Sequence, residues 1–286
     1  MFNKLKYYLP GVAESWLLII ILILGGSIFA ALFNISIAIL LPSLSSVAEI
    51  LSYPLIFVPP AIFIFFSLKK SFLNITSEDY TPPYVELDRA NFGKLGVGVS
   101  FILILLMVFS INIITEPLTY WMGIPEFLEE FMGKIHSNAI TTFLSVVIFA
   151  SILEELFCRG IILRALLYHT SPAKAIILSA FMFGIIHLNP WQAIPAFILG
   201  VFMGWIYWRT HSLWATIFIH FVNNGFSYFV TILFPDLPAH FGFVDIIPNR
   251  YYYIIYAVSL LYTVTVILIM NKNYDKTISI KIPSHS

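Results

Sequence analysis

Charge is what this 286-residue sequence has least of: Asp, Glu, Lys and Arg together make up 10% of it, against roughly a quarter in an ordinary soluble domain. Basic and acidic side chains balance at 15 each, so no basic field exists to gather nucleic acid. A single cysteine, Cys158, excludes an internal disulfide and a cysteine-built metal cage, and leaves the redox compartment unreadable. Internal repeats and low-complexity tracts are also lacking, and the longest polar stretch, Lys69 to Lys94, is short enough to be a loop.

In place of charge there is oil. Hydrophobic residues make up 59% of the chain and the mean hydropathy is +0.91, which no water-soluble fold can hide. Apolar runs long enough to cross a hydrocarbon core lie at about 15–41, 47–68, 95–115, 139–163, 173–188, 191–208, 213–233 and 251–270. The expected fold is all-α, a polytopic bundle of about eight spans. Lys4 and Lys6 precede the first run, but Trp16 to Leu41 is too long for the apolar part of a signal peptide. It reads as a retained span. Pro59 and Pro60 fall inside the second run and should kink or split it.

Orientation follows from the basic residues. With eight spans and a cytoplasmic N-terminus, the inner side receives Lys4, Lys6, Lys69, Lys70, Arg89, Lys94, Arg164, Lys174, Arg209, Lys272, Lys276 and Lys281, and the outer side only Lys134 and Arg250. Twelve against two is the bias of a protein with both termini in the cytoplasm. The expected location is a multi-pass position in the cell (plasma) membrane.

Most spans contain nothing ionisable, so the exceptions carry information. The fourth holds Glu154, Glu155 and Arg159, the fifth ends on Phe183 and His187, and the seventh holds His220 and Asn224. A charge at mid-membrane costs roughly 2.5–3.5 kcal/mol on insertion scales, so such residues face one another or a wet cavity. Glu155 and Arg159, Phe183 and His187, and His220 and Asn224 are each i,i+4 neighbours. At about 1.5 Å per residue, Glu154 lies roughly 15 Å in from Arg164, His220 about 16 Å from Arg209 and His187 about 20 Å from Lys174. One site at one depth, reached by water from the cytoplasmic side, is the expectation.

A carboxylate beside imidazoles can take a proton from water as it attacks a carbonyl, and histidine and amide N–H groups can hold the oxyanion. Two histidines and a glutamate are also a feasible zinc set, although the His-Glu-x-x-His helix signature is absent. Spacing alone leaves open the bland alternatives: Glu155–Arg159 as a structural ion pair, and His187 and His220 as hydrogen-bonding glue between helices. Cys158 has no activating base identifiable from sequence. Gly200 and Gly204 read as close helix packing, and Tyr251–Tyr253, Trp205 and Trp208 as an interfacial belt. His136, His169, His211, His240 and His285 read as solvated. Glu126, Glu129 and Glu130 among Phe127, Leu128 and Phe131 suggest an amphipathic surface helix.

Three short patterns in order resemble those of the CAAX-protease and bacteriocin-processing (CPBP, or Abi) family of intramembrane proteases, which includes the Ras-converting type of CAAX prenyl endopeptidase. They are Glu-Glu-x-x-x-Arg at Glu154, Glu155 and Arg159, Phe-x-x-x-His at Phe183 and His187, and His-x-x-x-Asn at His220 and Asn224. Gly200-x-x-x-Gly204 and Thr210-His-Ser-Leu-Trp214 resemble the family's glycine-rich helix and a following turn, with His211 in place of the usual glycine. The resemblance covers residues 140–230. It implies a catalytic core over 139–233, preceded by motif-free spans over 1–138 and followed by a last span and cytoplasmic tail over 234–286. It implies Glu154 as the base that activates water, His187, His220 and Asn224 as holders of that water and of the oxyanion, and Glu155 with Arg159 as a supporting pair.

The favoured mechanism needs no cofactor, with zinc as the alternative. The partners implied are the lipid bilayer and a peptide or membrane-anchored protein substrate, with no nucleic acid. A solute- or proton-coupled transporter and a non-catalytic membrane scaffold or immunity protein are the competing classes. No inverted repeat or pair of broken helices favours the transporter.

Overall fold

Inside a bilayer every backbone N–H and C=O must find its partner within the segment, which drives apolar runs of this length into helices. The computed structural model describes residues 2–73, 82–123, 125, 138–234 and 242–274, and among them it is helical with no strand. The helices are α1 (Val12–Leu40), α2 (Ser45–Leu55), α3 (Val58–Leu73), α4 (Gly96–Tyr120), α5 (from Ala139 to His169), α6 (Pro172–Ile185), α7 (Pro190–Thr210), α8 (Leu213–Leu233) and α9 (Asn249–Asn273). With α2 and α3 counted as one broken pass, these are the eight apolar runs of the sequence.

Six of the passes are long and apolar enough to cross a membrane. The other two are α5, which carries the buried charges, and α6. At 14 residues, α6 spans about 21 Å, short of a 30 Å hydrocarbon core. Helix starts are set by local chemistry. Asn138, Asn189 and Ser212 cap α5, α7 and α8 by accepting from the N–H groups of Thr141, Gln192 and Ala215.

The break between α2 and α3 falls at Ile56 and Phe57, and Pro59 and Pro60 occupy the first turn of α3, where a missing N–H costs little. The split expected from the two prolines is therefore present. Gly26 of α1 lies against the Ile56 carbonyl, where any Cβ would collide with it. Gly200 and Gly204 bring α7 onto α6: a Cβ at Gly200 would sit 3.2 Å from Ala180 Cα, and one at Gly204 3.1 Å from Ile176 Cγ2.

Outward faces are apolar along their length. Ile28, Leu32, Ile35 and Ile39 on α1 and Ile254, Val258, Leu261, Val264 and Leu268 on α9 are all exposed, spaced three and four residues apart as a lipid-facing stripe requires. One end of the bundle, carrying the N-terminal segment and the end of α9, is strapped by residues 85–91. Arg89 N–H donates to the His211 carbonyl (2.9 Å) and Asn91 N–H to the Thr210 carbonyl (2.7 Å). The Tyr207 hydroxyl donates to the Leu87 carbonyl (2.8 Å). Buried Arg164 donates to the carbonyls of Leu5, Lys6 and Tyr8 at 2.8–2.9 Å and to that of Val85.

Two surface readings need correction. Tyr252 turns inward and donates to Glu116 (3.2 Å), so the Tyr251–Tyr253 run is not uniformly interfacial. His211 is half-buried beneath the strap with φ of +52°. That backbone conformation explains why a glycine is the easier residue at this turn. His169 is exposed, as expected, with Nε2 3.0 Å from the Leu9 carbonyl. The amphipathic segment 126–131 and His136, His240 and His285 lie outside the described residues.

Candidate active site

The two adjacent glutamates of α5 point to different partners, as a rotation of about 100° per residue demands. Glu155 is wholly buried and accepts from Arg159 Nη1 at 2.7 Å. The same Oε1 lies 3.0 Å from Nδ1 of His220. Arg159, also wholly buried, donates through Nη2 to the Gly200 carbonyl (3.2 Å) and stacks its guanidinium 4.3 Å from the Phe183 ring centre. The carboxylate on one side and the carbonyl and aromatic face on the other compensate most of this buried charge, while Arg159 Nε and Glu155 Oε2 make no hydrogen bond to the protein.

Phe183 is the hinge of the arrangement. Its ring meets His187 and His220 edge-on, with centroids 5.2 and 5.6 Å away. The ring therefore orients both imidazoles as well as covering Arg159. His187 departs from the sequence reading: α6 ends at Ile185, and His187 follows in the turn, its N–H donating to the Gly184 carbonyl (3.2 Å). The helix stops short, so the ring sits within the membrane depth although the chain there is no longer helical. Its Nδ1 lies 2.9 Å from the Phe183 carbonyl. A carbonyl can only accept, so Nδ1 carries a hydrogen, and Nε2 is the nitrogen left bare when the ring is uncharged.

Glu154 faces the other way. Its Oε1 accepts a short hydrogen bond from the Tyr53 hydroxyl, while Oε2 makes no hydrogen bond to the protein. A cavity of about 430 Å³ is lined by Glu154, His187, His220 and Asn224, together with Tyr53, Asn112, Asn223 and Gln192. A second, narrower cavity of about 120 Å³ lies across Tyr53, Glu154 and His187 from the first, walled by Leu22, Ile23, Ile56 and Phe57. Glu154 is thus at the junction of the two cavities.

Asn224 is fixed by a relay. Its Nδ2 donates to the Val146 carbonyl (2.9 Å), its Oδ1 accepts from Asn223 (3.1 Å), and Asn223 in turn accepts from Asn112 on α4 (3.0 Å). Two stretches of α5 turn more widely than an α-helix, Phe143–Phe149 and Leu156–Leu163, and they bracket the glutamates. Such widened turns occur at functional sites because they re-aim side chains within an otherwise regular helix.

The structure therefore gathers Glu154, His187, His220 and Asn224 around one cavity and keeps Glu155 and Arg159 behind it as a buried pair. Three participants were missed. Tyr53, Asn112 and Asn223 belong to no motif; the only signal was a polar side chain inside an apolar run. The cavity follows the halves of α5 and α7 that lie away from the strapped end, from Thr142 to Glu154 and from Trp191 to Leu199. Cys158 is fully buried beneath the site. Among the described residues, no three His, Cys, Asp or Glu side chains gather closely enough to hold one metal ion.

Residues 136–226 match the family model described as type II CAAX prenyl endopeptidase Rce1-like. No curated protein and no solved structure matches the chain. All three motifs, and every motif residue at the cavity, fall within the matched segment, so over those residues this multi-pass membrane protein is similar to the CAAX prenyl endopeptidase family.

Proposed function

We propose that the protein is a glutamate-type intramembrane endopeptidase that hydrolyses a peptide bond with Glu154 as the base. The observation that carries this reading is the buried, unpartnered Oε2 of Glu154 on the wall of a cavity shared with both motif histidines. A buried carboxylate oxygen left without a partner is costly for stability, and it is what a general base must offer to water.

The chemistry runs as follows. Water donates one hydrogen to Glu154 Oε2 and the other to the bare Nε2 of His187, which directs an oxygen lone pair at the substrate carbonyl carbon. As the carbon–oxygen bond forms, Glu154 takes the proton. Asn224 has given one amide hydrogen to Val146 and offers its second to the oxyanion. His220, set by the contact of its Nδ1 with Glu155, lines the same cavity and helps hold the attacking water. Glu154 then passes its proton to the leaving amine as the carbon–nitrogen bond breaks. Tyr53 holds Glu154 in place throughout.

Zinc chemistry is the less well supported alternative. The carboxylate and imidazoles do not gather as a ligand set, and the amide of Asn224 is a poor zinc ligand. The test is cleavage of a fluorogenic peptide library by the purified full-length protein, with and without a strong chelator. Cleavage that survives the chelator is expected; cleavage abolished by the chelator and restored by zinc alone contradicts the metal-free mechanism, and no cleavage of any peptide contradicts the peptidase.

A further inference from the structure

The position of the cavity relative to the charged ends of the bundle determines which compartment feeds it. Along α5, the wall consists of Thr142, Val146, Ala150 and Glu154, a strip of residues four apart that runs about 18 Å and stops at the catalytic carboxylate. At the rim of the cavity, Gln192 and Ser227 are exposed. Beyond Glu154 in the other direction the bundle is solid: Arg159, Ile162 and Leu166 are fully buried. Below them Arg164 ties the N-terminal segment and Val85 together through backbone carbonyls. The site therefore opens toward one end of the bundle and is closed toward the other.

The closed end is the basic one. Among the described residues it carries ten of the eleven Lys and Arg side chains outside the Glu155 pair, and the open end only Arg250. Positive residues mark the cytoplasmic face. We propose that the active site draws its substrate from the non-cytoplasmic side of the membrane, and that the bond it cuts lies in a polypeptide segment already exported or translocated. A cavity of about 430 Å³ falls within the size of a ligand site, and its asparagine, glutamine and serine side chains suit the N–H and C=O groups of an extended peptide. This assignment rests on the peptidase reading for the word substrate, but the sidedness can be measured without any catalysis.

The test uses right-side-out and inverted membrane vesicles from bacteria expressing the full-length chain. Gln192→Cys and Ser227→Cys are labelled with a membrane-impermeant maleimide, and Lys174→Cys, exposed at the basic end, serves as the opposite reference. Buried Cys158 keeps the background low. The proposal requires both rim cysteines to react in right-side-out vesicles and Lys174→Cys to react only in inverted ones. Rim labelling confined to inverted vesicles, or equal from both sides, overturns it. In parallel, charged fluorogenic peptides added outside should be cut by right-side-out vesicles and spared by intact inverted ones. Absence of cleavage in every preparation, even after permeabilisation, counts against the peptidase alone, because the labelling pattern still decides the sidedness.

Discussion

Nδ1 of His220 lies 3.0 Å from Oε1 of Glu155, the oxygen that also receives the Arg159 guanidinium. Glu155 is therefore shared between a structural charge and an imidazole of the cavity, and it couples stability to the geometry of the site. Replacing Glu155 with Gln leaves Arg159 buried without its counter-ion, which costs about 3–5 kcal/mol for a pair of this kind. The melting temperature in detergent should fall sharply. The double variant Glu155→Gln, Arg159→Met should recover much of that loss, since no unpaired charge remains, without recovering full activity.

Tyr53 acts on the base rather than on substrate. Tyr53→Phe removes the hydroxyl that holds Glu154 Oε1 and keeps the ring that packs beside Phe57. A hydrogen bond to a charged group contributes about 1.5–3 kcal/mol. Turnover should fall roughly ten- to hundredfold in kcat, with KM little changed and the melting temperature lowered by the loss of that bond. A fall in KM-limited binding alone would show that Tyr53 contacts substrate instead.

Gly200 sits where α7 crosses α6, with a built Cβ 3.2 Å from both Ala180 and Phe183. Gly200→Ala forces those neighbours apart and disturbs the carbonyl that receives Arg159. A loss of about 1–3 kcal/mol is expected from overpacking, read as a lower unfolding midpoint. Gly98→Ala, with open space around its Cβ position, is the control that should change little.

His211 links stability to pH. Burial, and then the Arg89 charge, hold its pKa below the ordinary value. The folded state therefore binds fewer protons than the unfolded one. Its contribution to stability is complete above about pH 6.5, the unfolded value, and is lost as pH falls toward the lower folded value. His211→Gly removes this titration and relieves the positive φ. The variant should show a shallower loss of thermal stability between about pH 6.5 and 5 than the parent.

The bundle and the members of its site were legible because lipid simplifies the problem. An ionisable side chain in an apolar run has few places to go, and so Glu154, Glu155, Arg159, His187, His220 and Asn224 stood out by residue type and spacing alone. Spacing fixes which residues share a face of one helix, but not how two helices are rotated against each other. That is why His220 could be expected near Glu154 and is found bonded to Glu155. Tyr53, Asn112 and Asn223 come from helices or positions outside the repeating pattern. The early end of α6 at Ile185, which carries His187 in a turn, goes with a left-handed Leu188 (φ +58°) just before Pro190, a backbone choice that apolar periodicity does not show. The direction in which the cavity opens depends on which packed layer is solid, and no single helix encodes it.

The most direct measurement of the central claim is peptide cleavage by purified Glu154→Gln, compared with the parent at matched folding. The amide keeps the size of the side chain and can still accept from Tyr53, but it cannot take a proton from water. General-base catalysis contributes typically 10²–10⁴-fold, so turnover should drop by at least about a hundredfold while the melting temperature holds. Turnover equal to that of the parent contradicts the account.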